Sequence, residues 1–340
     1  MSTYAAGKSG LYVSSGFETP QGVLQTLDTS FFVNSCSVNL KEQQAADDQI
    51  TGYLAAISRT RLSLSAAGAI SIPMHAAGAG WMLKMLFGAA PTSAVATPSA
   101  TVYTHTWNSF ADPKTFSLMK QSAQISTYTE TICGNGVKTF DIKSGKKIAE
   151  LSLGVDGLGA GYILGTAKPS TSVAPTDVFV TPATSLPYVV GITSGISRNG
   201  TPITPGLFMA DWSLKVDPGY GVLDTGGSTD GSMTRFDITG ARKVTADFTL
   251  LEQSRGNLDD FLAQTVNAWS FTVNGPVLDV ANSLSEKLTI TLNKARMVDM
   301  WPSDIGGHGV FMIKMKIEAM IDTSTGYDVT AVLQDLKASY

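Results

Sequence analysis

One order of apolar and polar segments runs through this chain twice, first from about Cys36 to Val155 and again from about Asp211 to Ile321. Each pass opens with a short strand, Ser37-Val38-Asn39-Leu40 in the first and Trp212-Ser213-Leu214-Lys215-Val216 in the second. Each continues with a polar insert (Lys41–Gly52, then the glycine-rich Val216–Arg235), an alternating strand, a short apolar helix, two more strands and a long closing strand. Internal repetition is how one chain supplies two copies of a building block to a ring or solenoid.

The local patterns place the elements. Arg59–Ser65 alternates with period two, as do Val244, Ala246, Phe248 and Leu250, and the closing run Phe311, Ile313, Met315, Ile317 and Ala319. Such alternation describes strands with one covered face. Lys138–Asp156 reads as a hairpin whose second arm carries Ala149, Leu151, Leu153 and Val155 on one face. Gly80 and Gly88 bracket a run apolar almost all round, which predicts a short covered helix. Ser254 is placed to cap a second helix carrying Leu258, Phe261, Leu262 and Val266 on one face. Ala89–Ala100 reads as a loop, and the first forty residues as an extended arm. About ten to twelve short strands and two short helices are expected, a mainly β chain of two tandem sandwich or half-barrel modules. The boundaries read as an N-terminal arm (1–35), a first module (36–165), a linker with a connecting hairpin (166–208) and a second module (209–340).

Composition limits what such a chain does. It has 340 residues, 43% of them hydrophobic and only 15% charged, against roughly 25% charged in an ordinary soluble domain. So neutral a surface suits coverage by copies of itself. A net charge of −4 argues against nucleic-acid binding through a basic patch. No window is apolar enough to span a membrane, and the first residues lack an apolar signal core, so synthesis in a cytoplasm is expected. Cys36 and Cys133 suit two half-buried thiols in a reducing compartment.

The chemistry-bearing patterns are sparse. His75, His105 and His308 are isolated in sequence, which gives a zinc site no local support. His105 is expected to be a packed strand residue. Gly145-Lys146 lacks the rest of a phosphate loop, and Gly157-Leu158-Gly159-Ala160-Gly161 has the wrong spacing for a dinucleotide fingerprint. Asp224–Gly231 does not match a calcium loop. No catalytic residue, cofactor or metal is expected, and the chain reads as a non-enzyme.

Four motifs, in order, resemble the tail tube (major tail) proteins of long-tailed bacteriophages. Gly16-Phe17-Glu18-Thr19-Pro20-Gln21-Gly22 resembles that family's N-terminal G-x-E-x-x-x-G. Trp81–Gly88 resembles its short helix ending in L-x-G. Tyr103-Thr104-His105-Thr106-Trp107 followed by Lys114-Thr115-Phe116-Ser117-Leu118 is similar to its Y-T-H-T-W/F … F-S/T-L pair. The closing Glu318–Asp322 … Leu333–Tyr340 is similar to its x-A-x-x-D … L-x-N-x-x-A-x-Y, with Asp335 where Asn is usual.

The resemblance implies a virion structural protein, made and assembled in the host cytoplasm. It implies self-assembly into stacked rings whose bore carries DNA during ejection. Two modules per chain imply a pseudo-sixfold trimeric ring, with a true hexamer as the second choice. Implied partners are other copies, the tape measure, tail terminator and distal tail proteins, and DNA in transit, with no membrane. The alternatives are another self-assembling β subunit (pilus, surface layer or secretion tube) or an all-β ligand-binding domain. Asp47, Asp48, Trp81, Met85, Asp224, Asp230 and Phe261 are expected at subunit or ring contacts. The bore should be neutral or acidic so that DNA slides. Glu150 and Asp247 are the expected wall residues, with Lys314 and Lys316 on an outer or contact face.

Overall fold

The computed structural model describes residues 10–31, 33–46, 59–121, 129–144, 149–159, 163–165, 195–203, 208–224, 233–251, 256–302 and 312–340. The chain begins with strands β1 (Gly10–Ser14), β2 (Leu27–Phe31), β3 (Ser35–Cys36), β4 (Asn39–Ala46) and β5 (Arg59–Pro73), then helix α1 (Ala76–Phe87). It continues through β6 (Thr92–Val95), β7 (Tyr103–Trp107), β8 (Thr115–Gln121), β9 (Thr129–Ser144), β10 (Glu150–Gly157) and β11 (Ile163–Gly165). After β12 (Gly195–Arg198) and β13 (Thr201–Pro202) come β14 (Phe208–Asp217), β15 (Tyr220–Leu223), β16 (Arg235–Ile238) and β17 (Lys243–Leu251). Helix α2 (Gly256–Leu262) precedes β18 (Asn267–Asp279), β19 (Leu284–Pro302), β20 (Met312–Met320) and β21 (Val329–Asp335). The protein is mainly β.

The strand pairing repeats as the sequence does. In the first repeat β4 pairs with β5, β5 with β10, β10 with β9 and β9 with β8, all antiparallel. In the second, β14 pairs with β17, β17 with β20, β20 with β19 and β19 with β18. Even an irregularity recurs. The β9–β10 register slips between Gly154 and Val155, leaving Lys138 as the extra residue, and the β19–β20 register slips at Val298, one residue after Met297. A bulge sharpens local twist, so each repeat carries one such point between its two long strands. The repeats then join: Trp212–Val216 of β14 pair with Ser144–Phe140 of β9. One hydrogen-bonded sheet therefore runs through both.

Period-two alternation puts Leu151, Leu153 and Val155 of β10, and Ile313, Met315 and Ile317 of β20, into one hydrophobic core. Helix α1 crosses this core. His75 caps it, its Nδ1 accepting the Gly78 N–H at 3.0 Å. Gly88 closes it at φ 67°, a left-handed conformation that glycine adopts without strain. The helix begins before the expected Gly80. That glycine lies inside it because the Tyr340 ring occupies the space a Cβ would need.

Several expectations change. The expected extended arm contains strands from residue 10 onward, β1 pairing with both β2 and β8. The Ala89–Ala100 loop contains β6, paired with β7. The Val216–Arg235 insert contains β15, and its hairpin partner β16 begins at Arg235. That hairpin is fastened to the first repeat: Phe236 packs at Gly136, and the Tyr220 hydroxyl donates to Ala111 O at 3.0 Å. The expected linker lies almost wholly outside the described residues. Arg198–Pro202 is the expected turn, with Asn199 and Gly200 at positive φ joining β12 to β13.

Candidate functional site

The face of the joined sheet turned away from the core is organised by charge. Glu150, Lys143, Ser213, Asp247, Lys316 and Asp299 stand in register from β10 to β19. A parallel row runs Ser152, Asp141, Lys215, Thr245, Glu318 and Arg296. In both rows the sign alternates from strand to strand, so each cation has a cross-strand acid and the rows carry almost no net charge. Burial pushes the Asp141 carboxyl up, opposed by Lys215 and Lys143 beside it. A cavity of about 600 Å³ opens at the joint, lined among others by Lys143, Ser213, Asp247, Asp299 and Lys316.

The sheet's two ends are unfinished. β9 has β10 on one edge of its C-terminal half and β14 on the other. Its counterpart β19 has β20 on one edge from Lys294 to Pro302. No strand pairs the opposite edge beyond Ala295 among the described residues. Among the described residues β4 likewise pairs with β5 alone. At the start of that edge the Lys120 ammonium donates to Val38 O at 2.6 Å, standing in for a missing strand donor.

The two helices are finished differently. α1 packs on β9 and β7 of its own repeat and on β19 and β21 of the other. The Trp81 indole N–H donates to Ser14 O at 2.9 Å, and its ring meets Phe116 edge-on at 5.1 Å. At the N-terminus of α1, Glu286 accepts the Ala76 N–H at 2.7 Å and the Tyr340 hydroxyl donates to Ala76 O at 3.1 Å. Burial, with Asp335 nearby, pushes Glu286 up to about 7. The Tyr340 hydroxyl also bonds Asp335, and burial raises its pKa well above the ordinary value. His105 is fully buried. Its Nε2 lies 3.1 Å from Asp335 Oδ1 and 2.8 Å from Lys337 O, and its Nδ1 lies 2.8 Å from Ser93 Oγ. With two acceptors, Nε2 carries the proton. This network fastens the C-terminus to the first repeat. By contrast α2 has no buried residue, and Leu258, Leu262 and Val266 are 37%, 64% and 44% exposed.

A family model described as phage tail tube protein matches residues 9–300. The chain belongs to this family. The tail tube protein is thus a structural component of the virion tail. A search of curated proteins finds no match.

The motifs that carried the resemblance hold the tail tube fold together. Glu18 is buried, and its carboxylate accepts from Thr115 Oγ1 at 2.8 Å, Ser117 Oγ at 2.7 Å, Gly134 N at 2.9 Å and Gly22 N at 2.8 Å. That satisfies a charge which would otherwise be costly to bury. His105, Asp335 and Tyr340 of the later motifs meet in the C-terminal network, where Asp335 accepts from several donors at once.

The expected site residues fall in four places. Trp81 and Met85 are buried inside the chain, against its own core. Phe261 is half-buried at the edge of that core, and Asp224 is exposed beside the β15–β16 hairpin. Asp47, Asp48 and Asp230 lie outside the described residues. Glu150 and Asp247 share one sheet face, Glu150 held by the Ser71 hydroxyl. The separation of Asp247 from Lys314 and Lys316 is corrected. Asp247 is directly opposite Lys316 and Thr249 opposite Lys314, and directly opposed residues point to the same side of an antiparallel sheet. Sequence periodicity assigns a face within one strand, whereas relating faces of different strands needs the register. Among the described residues no group of His, Cys, Asp and Glu is placed to hold a metal, and Cys36 and Cys133 form no disulfide.

Proposed function

We propose that three copies of this chain close into a ring and that rings stack into the tail tube, the conduit for DNA. The observation that carries this is the β9–β14 joint. It links two topologically equal halves edge to edge, and the same two kinds of edge, β19 and β3–β4, stand open at the ends of the sheet. A joint between unlike edges is heterologous, and repeated heterologous joints close into a ring when the rotation allows. The repeat boundaries at 36–165 and 209–340 are then the two sixths that each chain contributes. Hydrogen bonding across the chain-to-chain joint removes both exposed edges.

The charge-alternating face is the proposed wall of the bore. Alternating rows of zero or slightly acidic sum offer phosphates no continuous basic track, so little counterion release would hold DNA in place. Glu150 and Asp247 serve there together with Lys143 and Lys316. The Lys41–Gly52 insert, which includes Asp47 and Asp48, is proposed to touch the adjacent ring. The Val216–Arg235 insert, which includes Asp224 and Asp230, is given the same role. Tape measure, terminator and distal tail proteins are the proposed partners inside the bore and at the tube ends.

Electron microscopy of the purified chain tests this. Tubes or rings with an open centre are expected. Monomers at every concentration and ionic strength tried would refute it.

A further inference from the structure

We propose that the apolar stripe of α2, formed by Leu258 and Leu262 and continued by Val266, is the docking face for the first repeat of a second copy of this chain. The inference rests on the ring reading above and names a contact away from the sheet edges. Helix α1 shows what a completed position looks like. Part of it packs on β9, β7, Ser14 and Phe116 of its own repeat, and another part is covered by β19, β21 and Tyr340 of the second repeat. Helix α2 occupies the same place in the order of elements and packs on β19, the counterpart of β9. Its first contact is therefore made.

Among the described residues the second contact is not made. Arg198 holds α2 down through Asn257 Oδ1 and Asp260 Oδ2, each at 2.9 Å, so the helix is positioned even though its apolar side is open. Leu258 and Leu262, four residues apart, share one face of α2, and Val266 stands exposed in the segment that follows the helix. In a ring the repeat that follows the second repeat of one chain is the first repeat of the next. It would reach α2 as the second repeat reaches α1. Continuity with the contact made inside the chain thus selects a second copy as the occupant, rather than the tube's neighbours above and below.

The test uses the full chain. A photo-crosslinking phenylalanine placed at Leu262 should join two copies, with the captured peptide mapping to the first repeat. Leu258→Asp with Leu262→Asp should leave the melting temperature of the monomer unchanged and lower ring yield about tenfold or more, because burial of two leucines is lost. If wild type forms no rings, the ring reading fails and this contact with it. If wild type forms rings while the double variant does so equally well, the contact is refuted and the ring reading stands. Crosslinks confined to the same chain, or landing on a second repeat, also overturn it. The crosslink is read on folded protein, so it decides the matter even if the double variant is unstable.

Discussion

Helix α1 and helix α2 hold equivalent places in two repeats of one strand order, yet most residues of one are buried and the other has no buried residue. The same contrast separates β9, paired on both edges of its C-terminal half, from β19, paired on one. The difference lies in the neighbour that each repeat finds within its own chain. The first repeat has the second beside it, which supplies β14 to its edge and β21 with Tyr340 to its helix. Among the described residues no third repeat does the same for the second. The completed half therefore serves as a template for the contacts that the incomplete half makes with another copy.

The largest effect that would break the contrast is at Trp81. Trp81→Ala empties a packed site and should cost about 3–5 kcal/mol in denaturant unfolding. Leu262→Ala, on an exposed face, should stay within about 0.5 kcal/mol. Equal losses would show that the two helices are equally embedded.

Glu286 tests the clamp on α1 through pH. Its carboxyl is raised from 4.5 to about 7, so protonation favours the folded state. The associated stability is fully present below about pH 4.5 and falls as pH rises toward 7. It then stays low, a swing of at most about 3 kcal/mol. Glu286→Gln should flatten that part of the profile and exceed wild type at pH 8. Identical pH profiles would remove Glu286 from the clamp. Smaller still, Tyr340→Phe removes a hydroxyl bonded to Ala76 O and Asp335 and should cost about 1–2 kcal/mol. Smallest is Lys316→Gln on the charged face, expected within about 1 kcal/mol because a partly exposed charge pair contributes little. A larger loss there would mean the face is structural rather than a wall.

Much of the fold was legible in the sequence because a covered strand face writes a period of two and a covered helix writes an apolar run. Leu151, Leu153 and Val155, and the Trp81–Phe87 run, follow these rules directly. The repeat was legible for the same reason. What lay beyond it is long-range. Gly80 looked like a helix boundary because only the distant Tyr340 explains a glycine inside a helix. Asp247 and Lys316 looked like residues of opposite surfaces until the β17–β20 register set them side by side. The α2 face looked like core because its apolar spacing is that of a packed helix. That spacing is real, and the proposed ring places the surface it meets on another copy.

The central claim is that one chain carries two of the six equivalent positions around a ring. Cryo-electron microscopy of assembled tubes tests it most directly. The account predicts three chains per ring, each spanning two sixths of the circumference, with the Glu150–Asp299 row facing the bore. Six chains per ring, or that row on the outer surface, would contradict it.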